Sequence, residues 1–151
     1  MKTELTPVAP SMRSRPVYAP LEPRPARLHL IVADGEGAEA VLDLLHKAND
    51  RSAMLQASHV MYCPGPTGVD LSGKLDVLGA AQFFRAPTIP AILPRLVKVL
   101  SDAHMGTQFY LAGTESLIGQ AEREIMNTGF PFASIQKEHR GSTLRRVQCV
   151  H

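Results

Sequence analysis

Two stretches of this 151-residue sequence hold residue types that could do chemistry. One is a glycine turn, Ala33-Asp34-Gly35-Glu36-Gly37, running into Ala38 and Glu39. Glycine lets a backbone come close to a ligand, and the unpaired N–H groups that open a helix suit a phosphate. A later turn, Gly113-Thr114-Glu115-Ser116, offers a second such place. The other stretch is the C-terminal Cys149-Val150-His151. Thiolate and imidazole are both good donors to zinc or iron, so Cys149 and His151 are candidate metal ligands. Two ligands do not close a site, and a short edge strand that happens to end in these residues is the competing reading.

The charges around the first turn argue against a phosphate. Asp34, Glu36 and Glu39 sit at or beside it. Each suits a helix N-terminus as ordinary stabilisation of about 0.3–1 kcal/mol. Facing a diphosphate together, they would repel it. At about 4–6 Å and an effective dielectric near 20, each like-charge pair costs roughly 3–4 kcal/mol before screening. The expectation is a phosphate-type turn that no longer binds phosphate. Nucleophilic chemistry has little support. Cys63 lies between Tyr62 and Pro64 with no helix opening behind it, so an activated thiolate is not expected. Gly-X-Ser-X-Gly does not occur. His46 and His104 fall near helix C-termini, His29 and His59 at strand starts, and His139 in a loop, all ordinary places for the side chain. Two cysteines cannot make a four-cysteine iron–sulfur site.

The elements that must position these turns follow from periodicity. Leu28-His29-Leu30-Ile31-Val32-Ala33 suits a buried strand. Ala38, Val41, Leu42, Leu45 and Ala48 then fall on one helix face. Residues 59–63 form a second strand, stopped by Pro64-Gly65-Pro66. Residues 67–87 stay open between strand and half-buried loop. Thr88 reads as an N-cap with Pro90 in the first turn. The stripe Ile89, Ile92, Leu93, Leu96, Val97 and Leu100 follows, and Pro94 should begin or bend the regular part of that helix. Residues 108–112 are a third strand. Thr114 caps a helix with inner face Leu117, Ile118, Ala121 and Ile125, and Gly129 stops it. Residues 133–136 are a fourth strand. Strands alternating with helices imply a doubly wound, mostly parallel α/β sheet with right-handed crossovers.

Composition narrows the partners. With 44% apolar and 20% charged residues the chain fits one domain with a core. A formal charge of +2 and eight aromatics without Trp argue against nucleic acid and an anionic membrane as partners. The N-terminus has no apolar signal-peptide core, no apolar run is long enough to span a bilayer, and a reduced, cytoplasmic protein is expected. Residues 1–26 hold six of the twelve prolines and read as an extended arm. Either it is a disordered tail, or Val17, Tyr18 and Leu21 anchor it to a partner, with Arg13, Arg15 and Arg24 suited to an acidic face. The domain proper is then 27–138, followed by a tail, 139–151.

Two resemblances add to this reading. The Ala33–Gly37 turn, and Phe109-Tyr110-Leu111-Ala112-Gly113-Thr114 through Gly129 to Glu138, resemble the pyridine-nucleotide half of ferredoxin reductases. The likeness covers roughly residues 27–138 and implies that family's NAD-domain fold. It departs at Ala112, which replaces the cysteine beside the nicotinamide, and at Thr114, which replaces a proline; the family's flavin half is not in this sequence. Further, Ser14-Arg15-Pro16-Val17-Tyr18-Ala19-Pro20, the Val32–Gly37 turn, Glu138-His139-Arg140-Gly141-Ser142 and Arg145-Arg146-Val147-Gln148-Cys149-Val150-His151 look like the small subunit of dimethylamine monooxygenase, the DmmA-like family.

In that family the Cys-X-His is followed by another cysteine and later by a Cys-X-X-Cys pair, resembling a zinc ribbon. The likeness therefore implies zinc ligands at Cys149 and His151, and a chain cut at, or ordered only as far as, His151. It also implies a subunit of an enzyme that oxidises dimethylamine to methylamine and formaldehyde with NAD(P)H and O₂. Haem would lie on a separate catalytic subunit, and flavin mononucleotide and an iron–sulfur cluster on a reductase subunit. This chain would carry little or no catalysis itself, meeting its partners through Tyr18, Arg145 and Arg146. The alternative is a stand-alone NAD(P)H-binding reductase fragment.

Overall fold

A computed structural model of the chain describes residues 19–65, 68–103 and 105–141. Strand β1, Leu28–Asp34, is buried from its second residue onward, as expected of a strand covered on both faces. Helix α1, Gly37–Lys47, buries Gly37, Ala38, Ala40, Val41, Leu44 and Leu45. Its inner face is thus turned from the expected one: Leu42 is only half-buried, and the small Gly37 and Ala40 bring the helix close to the sheet. Ala48 lies just past the helix, as its C-cap. A short helix not foreseen from periodicity, α2 (Arg51–Gln56), is capped by Asp50, whose carboxylate accepts from the Ala53 N–H at 3.0 Å.

Strand β2, Ser58–Cys63, is buried throughout. The open stretch 67–87 resolves into a one-turn helix, α3 (Ser72–Asp76), and a four-residue strand, β3 (Gln82–Arg85). Helix α4, Ile89–Asp102, follows Thr88, whose backbone is extended but whose hydroxyl makes no capping bond. Pro94 is inside the helix rather than at its start. Ile92, Leu96 and Leu100 are its buried line, while Val97 is 47% exposed, so the expected stripe is narrower by one edge. Strand β4 (Thr107–Gly113) leads to helix α5 (Glu115–Asn127), which buries Leu117, Ile118, Ala121 and Ile125 as the spacing requires. Gly129, at φ +105°, ends that helical run in the left-handed region that favours glycine. The last strand begins later than expected. Ala133 and Ser134 belong to a 3₁₀ turn, Phe132–Ser134, closed by the Ser134 hydroxyl on the Pro131 carbonyl at 2.6 Å. Strand β5 then runs Ile135–His139, so His139 is a strand residue, not a loop residue.

The described residues form a five-stranded sheet, ordered β3-β2-β1-β4-β5 and parallel throughout. Side chains alternate between two cores. Ile31, Ala33, Val60, Tyr62, Tyr110 and Ala112 pack with α1, α2 and α3. Leu30, Val32, Met61, Cys63, Phe109 and Leu111 pack with α4 and α5. This is a doubly wound α/β fold.

Residues 19–26 have neither helix nor strand, yet they lie against this domain. Leu21 is 1% exposed and belongs to the first core, so it anchors within its own chain. Ala19 N–H donates to the Lys137 carbonyl at 3.1 Å, and Leu21 N–H to Glu138 Oε1 at 3.0 Å. Gln136 exchanges two bonds with the Glu22 backbone, at 2.8 and 2.9 Å. The segment thereby covers part of the outer edge of β5. Arg13, Arg15, Val17 and Tyr18 lie outside the described residues, as do His104, Arg145, Arg146, Cys149 and His151. No helix among the described residues is long and apolar enough to cross a membrane.

Candidate functional site

In a doubly wound sheet the ligand crevice lies at the carboxyl ends of the strands where their order reverses. Here that point is between β1 and β4, where the two glycine turns meet. The register sets Ala33 opposite Ala112, so Asp34 arrives beside Gly113 and Thr114. Asp34 is 1% exposed, and both carboxylate oxygens are engaged: Oδ1 accepts from the Thr114 N–H at 2.8 Å, and Oδ2 from the Thr114 hydroxyl at 2.8 Å. Thr114 Oγ1 in turn accepts from the Leu117 N–H at 3.2 Å, capping α5. One aspartate thus ties the end of β1 to the start of α5. Burial raises its carboxyl above the ordinary value of 3.8, against the opposing pull of the two Thr114 bonds and the charge of His139.

Glycine is required here for packing between protein segments. A Cβ on Gly37 would lie 2.3 Å from the Ala112 carbonyl oxygen, and one on Gly35 would lie 2.9 Å from Gly65 Cα. Gly113, at φ +131°, leaves the room that the Asp34 carboxylate fills. The Gly35 turn is further held by Tyr62, whose hydroxyl donates to the Gly35 carbonyl at 2.8 Å and accepts from the Leu71 N–H at 2.9 Å. In the first turn of α1, Ala38 N–H donates to Gly35 O and Glu39 N–H to Glu36 O.

The three acids therefore do not face one ligand. Asp34 points across to Thr114. Glu39 lies 3.9 Å from the Arg140 guanidinium, which also holds Asp43 at 2.9 Å and Glu138 at 2.6 Å. Glu36 is exposed at the helix start and makes no capping bond. The expected mutual repulsion is replaced by a different obstacle: a carboxylate and its partners occupy the crevice. A dinucleotide needs open N–H groups and room there. With the N–H groups of Thr114 and Leu117 taken and Asp34 in the gap, these residues do not fit that group. Cys63, buried behind Asp34, has its thiol pushed up to about 12 by burial and then by the Asp34 charge, so it stays protonated at neutral pH.

Of the residues singled out from sequence, the metal candidates Cys149 and His151 and the contact candidates Tyr18, Arg145 and Arg146 lie outside the described residues. Among the described residues no group of three or more His, Cys, Asp or Glu is arranged to hold a metal ion. The sequence does not mark Tyr62 and Arg140 as site residues. Nothing in their spacing marks them, because their partners come from distant elements.

Comparison with known proteins adds the following. Residues 10–135 match the family model described as dimethylamine monooxygenase subunit DmmA-like, N-terminal domain. No curated protein matches the chain. Solved structures share its fold at low identity. Phthalate dioxygenase reductase, described as a modular structure for electron transfer from pyridine nucleotides to a 2Fe–2S centre, is 16% identical with a TM-score of 0.59, covering 80% of this chain and 38% of that one. An intact type IV self-sufficient cytochrome P450 monooxygenase is 21% identical, with a TM-score of 0.54 over 78% of this chain and 15% of that one. The flavohemoglobin from Malassezia yamatoensis, with FAD and heme bound, is 15% identical, with a TM-score of 0.53 over 78% and 33%. The chain thus spans between 15% and 38% of the length of these three proteins.

Proposed function

Because the chain belongs to the DmmA-like family of dimethylamine monooxygenase subunits, matched over residues 10–135, we propose that it is a non-catalytic subunit of a multi-subunit monooxygenase, supporting assembly or electron transfer. In this reading the enzyme N-demethylates dimethylamine to methylamine and formaldehyde. Haem sits on a partner catalytic subunit, and flavin mononucleotide and an iron–sulfur cluster on a partner reductase. The observation that carries the reading is the Asp34–Thr114 lock across the switch point. A reductase-like fold whose dinucleotide crevice is held by its own carboxylate is suited to docking rather than to hydride transfer.

The arm that would reach a partner is residues 1–18, with Tyr18 its aromatic anchor and Arg145 and Arg146 contributing from the tail. Zinc at Cys149 and His151, as the family resemblance implies, belongs to the same proposal. The fold's likeness to reductases favours a second reading, a stand-alone NAD(P)H-binding fragment.

Isothermal titration with NADH and NADPH separates the two. No heat of binding is expected, and a micromolar site would establish the second reading. Deleting residues 1–18 should leave the fold intact and weaken co-purification with the large subunits; unchanged assembly would remove the arm from the proposal.

A further inference from the structure

The amino ends of the strands present the opposite situation to the locked crevice. Leu28, His59 and Gln82, at the starts of β1, β2 and β3, line a cavity of about 340 Å³ with Arg95, Lys98, Val99, Asp102 and Ala103 from the end of α4. That volume lies within the range of small-molecule sites. By strand alternation His59 shares the face of Met61 and Cys63, turned toward α4. It is 8% exposed, and its buried Nε2 has no hydrogen-bond partner among the described residues. Arg95 is held over the Phe84 ring, 4.9 Å from its centroid. Neither Arg95 nor Lys98 makes an ion pair with any described residue.

We propose that this cavity binds a small oxyanion, carboxylate or phosphate in type, between Arg95 and Lys98, against the wall formed by the His59 imidazole. The donor set suits that class. Guanidinium and ammonium give charge-assisted bonds to oxygen, and the His59 imidazole in the cavity wall lies close enough to sense a charge placed beside it. Among the described residues, the charged groups lining the cavity with His59 come from α4: Arg95, Lys98 and the carboxylate Asp102. Two cations and one anion leave a net charge of one, matched by a singly charged ligand. The strand starts add only the neutral Leu28 and Gln82.

Burial first, and then the Arg95 charge, lowers the His59 pKa from 6.5. An anion seated between them opposes the second effect. By linkage, binding raises the His59 pKa and tightens as pH falls through it.

The test is a two-dimensional NMR titration of the His59 imidazole in the full chain at constant ionic strength, with inorganic phosphate in one arm and acetate in the other. A saturable His59 shift with a rise in its pKa is expected, and the arm that saturates tells phosphate from carboxylate. Lys98→Gln, at an exposed position, should weaken binding about tenfold or more. Lys74→Gln, on α3, should leave it unchanged. A His59 signal that does not saturate in either arm, or equal weakening by both substitutions, would overturn the site.

Discussion

The two ends of this sheet treat their polar groups in opposite ways. At the carboxyl ends, Asp34, Thr114, Tyr62 and the backbone of Gly35 and Leu71 satisfy one another. At the amino ends, among the described residues, His59 Nε2 is buried without a partner, and two cations face a cavity with one carboxylate. The fold's customary ligand position is thus the closed end. A parallel sheet fixes where strand ends gather, but the side chains at those ends decide whether anything can bind. Likeness to reductase domains carries over the first property and not the second.

The sharpest way to break this contrast is Gly37→Ala. Alanine is the better helix former by about 1 kcal/mol, so propensity alone predicts a gain. The new Cβ would instead meet the backbone of β4, 2.3 Å from Ala112 O and 2.8 Å from Gly113 N. Backbone in the middle of a sheet yields less than a side chain does. A loss of about 3 kcal/mol or more is expected, read as a lower urea midpoint. A midpoint that is unchanged or raised would mean that the crevice is not closed by contact.

Asp34 tests the same end through its charge. Asp34→Ala strands the Thr114 N–H and hydroxyl in a buried place and should cost about 2–3 kcal/mol. Asp34→Asn keeps an acceptor for the N–H and removes the charge, and its effect should depend on pH. With the folded pKa raised, the native state binds more protons than the unfolded chain between about 4 and the raised value. Wild-type stability should therefore fall as pH rises across that window and level off above it, whereas the Asn variant should lack this fall. Urea midpoints from about pH 3 to pH 8 would show it. Stability that instead rises through the window because of Asp34 would overturn burial as its main influence. Tyr62→Phe, which strips the hydroxyl from between Gly35 O and Leu71 N–H, should cost about 1–2 kcal/mol by the same measurement.

Local pattern made most of the architecture legible. The apolar run from Leu28, the Thr114 cap and the inner face from Leu117 to Ile125 each rest on neighbours within one element. Strand β3 escaped because a four-residue edge strand with only Phe83 and Phe84 half-buried has too little alternation to separate it from a loop. The site was less legible. Asp34 and Thr114 are 80 residues apart, and nothing in either turn announces the other. The charges of Asp34, Glu36 and Glu39 make the turn unsuitable for phosphate on paper, but in the fold Arg140 draws Glu39 away and Asp34 itself fills the gap. His59 looked like an ordinary strand start because the missing partner of a buried nitrogen is a property of its three-dimensional surroundings.

That missing partner gives the smallest effect and the cleanest contrast with Tyr62. Removing a polar group that has partners leaves those partners stranded, but among the described residues His59 Nε2 has none to strand. Methionine is unbranched and adaptable enough to follow the imidazole's path. His59→Met should therefore shift stability at neutral pH by less than about 1 kcal/mol, and in the favourable direction. The acid side separates this from a trivial surface change. With a folded pKa below 6.5, His59 gives the unfolded chain more protons as pH falls, so wild type loses stability below about pH 6.5. His29, whose pKa burial also lowers, contributes to the same loss and remains in the variant. The Met variant should show a shallower fall, not a flat one. A clear loss at neutral pH would mean that His59 has a partner essential to the fold, and the two ends of the sheet would no longer differ in kind.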